Sequence, residues 1–527
     1  MLWIALHLPL LSLESFAATL AQGGAGASGA SGESPLALID ARRITRANAA
    51  AKALGVQPGM QRATALALAP GLTLGQANPA RDAQALSAVA HAALAFTPAV
   101  VIQPAGDAVA AIRQAPDTVL LEVQASLRYF GGREPLVQRL HAALAPLGHA
   151  LHTASSPTAL GSALLARAHR ELHCDDLQVT ARALDAAPVW LLGPGREHWD
   201  ALQGMGLRTL GDLRALPRSG LARRFGEALL DEIDRALGAR PDPRVSLQLP
   251  PRLDTRLELF ALADTTEQLL HGAGVLLARL VAWLSAQHAF ARRFTLVMEH
   301  ERRSRRDLPT PSTTTLDIAL AEPSRDSAHL LVLLREQLAR LQLPAPTLEL
   351  RLHCDDIARR APPSGELFPT ARSEEEGLTR LIERLQARLG AAQVQRLVAA
   401  EDHRPEHATG MQPADARIVL HPGHPRPVAA VARRTAQASP APLMRPVWLL
   451  EQVEPLHERN TGPQLDGQPL QLLSGPERIE SGWWDAGLAE RDYFIAQKAD
   501  GALVWVYRTR RAPQDAGPGW FLQGRFG

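Results

Sequence analysis

Cysteine, aromatic residues and net charge are all scarce in this chain of 527 residues. Its two cysteines, Cys174 and Cys354, stand far apart and support neither a disulfide framework nor a thiolate zinc site. They fit a reducing compartment, and the cytoplasm is the expected location. Aromatic residues make up only 4%, so the core must be mostly leucine, alanine and valine. The formal net charge is +2, with arginine far outnumbering lysine. Any nucleic-acid contact must then come from local basic patches and not from a globally positive body. The opening stretch MLWIALHLPLLSLESFAATLA lacks the positive region of a secretory leader, and His7 and Glu14 interrupt its apolar run. A buried strand followed by a helix is expected there. No other stretch is expected to reach the apolar length that spans a bilayer.

What is present is an ordinary hydrophobic fraction, 46%, in a chain long enough for about three to five domains. Hydrophobic patterning predicts a strand over Leu2–Leu8, a helix over Leu10–Leu20 and Ala-rich helix from Thr45 to Leu68, broken at Gly55 and at Pro58-Gly59. A helix follows over Asp82–Ala95 with Asp82 as its cap, then a strand over Thr118–Val123 and a helix over Glu134–Ala145. This alternation predicts an α/β domain. From Ala187 to Gly238 the pattern changes to short helices joined by two glycine turns, Leu192-Gly193-Pro194-Gly195 and Gly204-Met205-Gly206. Next come a strand (Thr255–Phe260), a long helix (Thr266–Ala289), two strands (Arg293–Glu299, Thr313–Leu320), a helix (Ser327–Leu341) and a strand (Thr347–His353). That order is the split βαβ arrangement. Beyond Ala361-Pro362-Pro363, Ser373-Glu374-Glu375-Glu376 is a capping-box pattern. It opens an amphipathic helix with Leu378, Leu381, Ile382, Leu385 and Leu389 on one face, expected to pack within the chain. Residues Glu401–Met444, rich in Pro, His and Ala, read as a linker. The last stretch, with Trp448, Trp483, Trp484, Trp505 and Trp520, reads as a small β-rich domain.

Several strings are more specific. Arg43-Ile44-Thr45-Arg46-Ala47-Asn48 with Ala51-Lys52-Ala53-Leu54-Gly55-Val56-Gln57-Pro58-Gly59-Met60 resembles the fingers motif of Y-family DNA polymerases. The two glycine turns, the second continuing into Leu207-Arg208-Thr209-Leu210-Gly211-Asp212-Leu213, are similar to the thumb of those enzymes. The C-terminal strings LLSGPERIESGWWD, RDYF and LVWVYR are similar to the tail of ImuB proteins, the non-catalytic branch of that family. The resemblance implies an α+β multidomain fold: palm and fingers over 1–170 (fingers about 22–78), a helix-hairpin-helix thumb over 171–244 and a βαββαβ little finger over 245–357. A linker over 358–444 with the amphipathic helix at 374–390, and a β-rich partner-binding domain over 445–527, complete it.

Active members of the family hold two divalent cations with a cluster of carboxylates, because hard cations need oxygen ligands. Matching Leu13-Glu14 to the family's Val-Glu and counting back puts Ala5 and His7 where the first Asp and its second neighbour belong. Matching Leu120-Leu121-Glu122-Val123 to the family's next strand turns its Asp-Glu pair into Asp117-Thr118. The family's triphosphate-contacting Tyr and Arg of the fingers fall at Ala49 and Lys52 and its palm Lys at Ala159; Lys52 keeps a charge but loses the bidentate fork of arginine. The resemblance thus implies no catalytic residue, metal or cofactor. What it leaves is binding. Gly193, Gly195, Gly204 and Gly206, with Arg196 and Arg208 beside them, fit turns whose backbone amides approach DNA phosphates. Arg292-Arg293 and Arg302-Arg303-Ser304-Arg305-Arg306 are the densest basic runs and fit non-specific contact with the DNA backbone. Leu367-Phe368, inside Gly365-Glu366-Leu367-Phe368-Pro369, resembles a peptide for the β sliding clamp with Ser364 in place of its usual Gln. By resemblance the partners are primer–template DNA, the clamp, the RecA-like ImuA and the error-prone C-family polymerase ImuC. The function implied is an adapter in SOS-type translesion synthesis. Two alternatives stay open: an active low-fidelity polymerase assembling Asp117, Glu122 and Glu14, or a DNA-binding protein with no polymerase partner.

Overall fold

The computed structural model describes residues 1–20, 34–103, 116–301, 311–359, 371–414, 445–459, 462–485, 487–510 and 519–526, in two compact units. The first unit spans 1–374 and 379–388. Its opening strand, Trp3–His7, is central in a five-stranded sheet ordered Val100–Ile102, Thr118–Glu122, Trp3–His7, His152–Ser156, Glu171–His173. All neighbours are antiparallel except the last pair. Alternation along the strand serves two cores. Ile4 and Leu6 pack with Val119 and Leu121 beneath the helices Pro79–Leu94 and Arg133–Leu144. Ala5, Leu120 and Ala154 face the other way, onto the helix Ala159–Ala168. That helix lies close because its sheet-facing residues are small, and Ser162 donates to the Trp3 carbonyl at 3.1 Å.

A three-stranded sheet (Arg43–Ala47, Leu36–Asp40, Thr73–Gln76) and two short helices (Ala49–Ala53, Arg62–Leu68) form the fingers-like part. The Ala-rich stretch is therefore not helical from Thr45. Asn48 stops the strand and starts the helix, its side-chain oxygen accepting from the Ala51 amide at 2.9 Å. The cap of the helix Pro79–Leu94 also differs from the expected Asp82. Asn78 caps it, with Pro79 in the first turn, while Asp82 accepts from the hydroxyls of Ser12 and Ser15.

The split βαβ order is present as Leu253–Ala263, Thr266–Ala286, Ala289–His300, Thr313–Ser324, Ser327–Leu338 and Thr347–Cys354. Its sheet runs Thr313–Ser324, Ala289–His300, Thr347–Cys354, Leu253–Ala263, all antiparallel. The helix Thr266–Ala286 is long and apolar enough to cross a membrane by length and composition, which corrects the expectation that no such stretch exists. Its leucines and Trp283 are instead spent in the core under this sheet. Along the helix Ala371–Leu389, Ile382 and Glu383 are buried, and Glu383 lies 2.9 Å from the His329 ring. Leu381, Leu385 and Leu389, expected to pack, are exposed.

The second unit spans 375–378 and 389–527. Seven strands form one antiparallel sheet over the cores Leu456–Val506–Trp520–Leu522 and Tyr493–Trp505–Tyr507. Only two of the five tryptophans, Trp505 and Trp520, are core residues. The described part of the expected linker is folded into this unit: Thr409–Pro413 pairs with Gln395–Ala399, and Arg404 is buried.

Candidate functional site

The head of the first sheet brings together the end of one strand, the start of another and the last turn of a helix. His7 ends Trp3–His7 and is paired in register with Thr118, which begins Thr118–Glu122. Asp117 sits just before it, its carbonyl accepting from the Leu8 amide at 2.9 Å. One oxygen of the Asp117 carboxylate accepts from Arg167 Nη2 at 2.7 Å and from Thr118 Oγ1 at 2.8 Å, and lies 3.5 Å from His7 Nδ1. Arg167 comes from the end of the helix Ala159–Ala168. Burial by itself would raise the Asp117 carboxyl, but bonding to His7 and the charge of Arg167 outweigh it and hold it well below the usual carboxylate range. His152 packs edge-on to His7 with ring centroids 5.8 Å apart, and burial, then the neighbouring His7, push its imidazole down.

Ala5, the position reached by counting back from Glu14, lies two residues along the strand, fully buried opposite Leu120 and Ala154. His7 is the residue that touches Asp117 and Thr118, because the antiparallel register sets it opposite Thr118. The other carboxylates of the alternative cluster stay apart. Glu122 is opposite Trp3 at the far end of the strand pair and accepts from the Leu2 amide at 3.3 Å. Glu14 accepts from the Ala150 amide at 3.0 Å and meets His149 Nδ1 at 3.1 Å. Two divalent cations about 4 Å apart need several shared oxygens. One carboxylate already bonded to a guanidinium, a hydroxyl and an imidazole do not fit that pair. Among the described residues no group of three or more His, Cys, Asp or Glu could hold a metal ion. Of the positions matched by resemblance to triphosphate contacts, Ala49 and Lys52 are exposed, and Ala159 is buried at the start of its helix.

The four glycines of the two turns divide by environment. The Gly193 amide, at the start of the short helix Gly193–Glu197, donates to Glu232 Oε2 at 3.0 Å and is not open to a phosphate. Gly195 is a packing residue, since a Cβ there would stand 2.2 Å from the Val189 carbonyl oxygen. Gly204 and Gly206 face open space, and Gly206 takes φ +81°, which glycine adopts without strain. Exposed Arg208 follows them. Arg196 is half-buried, and its Nε donates to the Trp190 carbonyl at 3.2 Å. Burial, then the charge of Arg167, lowers its pKa, with Asp117 and Glu232 pulling the other way.

In the split βαβ domain Arg292 and Arg293 are exposed, their amides held by the Asp356 carbonyl at 2.9 and 3.4 Å. Arg302, Arg303, Arg305 and Arg306 lie outside the described residues, as do Leu367 and Phe368. The outward face of the sheet holds what the arginine runs did not reveal. Strand register lines up Glu258, Glu349 and Glu299 across three strands. Burial, then Glu299, raises the Glu349 carboxyl. Beside that acidic row Arg252, Asp254, Arg293, Arg351 and His353 line a hollow of about 350 Å³, where Arg351 Nε donates to Asp254 at 2.8 Å. Alternation of the strands could have exposed both features, but only once their register was known.

No family model matches the chain. It is 28% identical over 486 residues to protein ImuB of Caulobacter vibrioides, in each of two strains, covering 90% of this chain and all of that protein. Among solved structures, an insertion ternary complex of Dbh DNA polymerase aligns at a TM-score of 0.36 and 16% identity, over 68% of this chain and 100% of that one. DinB from Sulfolobus solfataricus aligns at 0.33 and 15%, over 68% and 99%. The chain is thus similar to ImuB along nearly its whole length, as its fingers, thumb and tail strings indicate.

Proposed function

We propose that this chain is a non-catalytic, polymerase-like adapter in DNA damage tolerance and error-prone translesion synthesis, acting in the cytoplasm. One observation carries the reading. Where a polymerase needs a nest of carboxylates, the described residues of this palm hold Asp117 alone, and Arg167 already neutralises it. The binding surfaces proposed are those argued from sequence, in altered form. DNA backbone contact is assigned to the open turn at Gly204, Gly206 and Arg208, and to Arg292 and Arg293 with the run Arg302, Arg303, Arg305 and Arg306. The basic end of the sheet, Arg252, Arg293 and Arg351, adds to this surface, whereas Gly193, Gly195 and Arg196 serve the fold. Leu367 and Phe368 are the residues proposed to reach the sliding clamp. The β-rich domain is proposed to hold ImuA and ImuC.

The test is reconstitution of the full chain on primed DNA with purified clamp, ImuA and ImuC, followed by size-exclusion chromatography. Co-elution of all components is expected, with the clamp lost on changing Leu367→Ala and Phe368→Ala. Retention of DNA without any protein partner would favour the plain DNA-binding alternative.

A further inference from the structure

A partly buried carboxylate needs a counter-charge, and leaving one unpaired is costly. At the head of the first sheet that charge is built into the chain. Arg167 reaches Asp117 from the last turn of a helix whose body, through Ala159, Ala163, Leu165 and Ala166, is sunk in the core. The guanidinium is therefore delivered by a rigid element rather than a loop. Its Nε is buried and finds no partner among the described residues, so the Nη2 bond to Asp117 is what anchors its head group. Thr118 Oγ1 and His7 Nδ1 crowd the same carboxylate oxygen, at 2.8 and 3.5 Å. An incoming cation would have to share that carboxylate with the guanidinium.

We infer that Arg167 is a permanent substitute for a bound cation, so that this palm is closed to divalent metals by a residue added as well as by carboxylates missing. The inference rests on the non-catalytic reading and goes further. Missing carboxylates alone predict that placing carboxylates at the two residues that touch Asp117, His7 and Thr118, creates metal binding; a resident guanidinium predicts that it does not.

The experiment is Mn²⁺ binding to the full chain, read from the free-ion electron paramagnetic resonance signal. Three proteins are compared: the native chain, His7→Asp with Thr118→Glu, and that pair with Arg167→Met. The triple variant is expected to bind on the order of a hundredfold more tightly than the double, since a cation and a guanidinium would no longer compete for one carboxylate. Equal binding by the two overturns the inference. Because Thr118 is fully buried and its replacement could impair folding, a thermal-melting cycle in the native background stands beside it. Asp117→Asn and Arg167→Met should each lower the melting temperature, and their combination should lower it by clearly less than the sum. Additive losses overturn the inference as well. Neither result bears on whether the native chain incorporates nucleotides, which is a separate measurement.

Discussion

Two guanidinium–carboxylate clusters, one in each unit, use the same chemistry to different ends. Arg167 spends one bond on one carboxylate. Arg404 is saturated: its Nε and Nη atoms reach Asp402, Asp485 and the Gly487 carbonyl, the Nη2 bonds to both aspartates at 2.7 Å. Gly482 and Gly487 let the guanidinium in, since a Cβ at either would stand 2.7 or 2.6 Å from its Nη1. The segment so pinned carries Trp483 and Trp484, 78% and 54% exposed. A fork with every donor used fixes geometry, whereas a fork with one donor used supplies charge. The difference separates a clamp from a counter-ion.

The sharpest way to break this distinction is lysine at both places. Arg404→Lys keeps the charge but loses the fork, and should lower the melting temperature of the second unit by several degrees and speed proteolysis near Trp483. Arg167→Lys, where a point charge suffices, should cost less than about 1 kcal/mol in chemical denaturation. Equal losses would mean the two clusters do the same job. Acid offers a second handle. The folded Asp117 carboxyl lies below its ordinary value of 3.8, so its contribution is complete above that value and fades as the pH falls through the lower folded value. The stability gap between the native chain and Asp117→Asn should close in strong acid, as the pH falls through the lowered folded value. The smallest effect belongs to carboxylates with no saturating guanidinium. Glu349 is raised by burial, Glu299 and Glu258, so Glu349→Gln should stabilise the first unit by a few tenths of a kcal/mol, by about 0.5. That gain should shrink as acid protonates the row, because a raised carboxyl destabilises only where it is forced to ionise.

Periodic elements were legible in the sequence and long-range charge was not. Alternating Leu253, Thr255, Leu257 and Leu259, and the leucine-rich stretch of Thr266–Ala286, announce their strand and helix by local pattern. The pair Asp117–Thr118 was also readable, as the place where a carboxylate is missing. Arg167 was not, because it lies 50 residues from Asp117 at the end of an Ala-rich helix and looks like any solvent-facing arginine. Gly193 and Gly195 looked alike in one dimension. Glu232 and Val189, from elsewhere in the fold, make the first a capped amide and the second a packing residue. Arg404 was hidden differently, in a Pro- and His-rich stretch whose composition reads as linker until its two aspartates are seen around it.

Primer extension tests the central claim most directly. The purified full chain, given a primed template, deoxynucleotides and Mg²⁺ or Mn²⁺, should add no nucleotide above the protein-free control. Extension that disappears in Asp117→Asn would contradict the account.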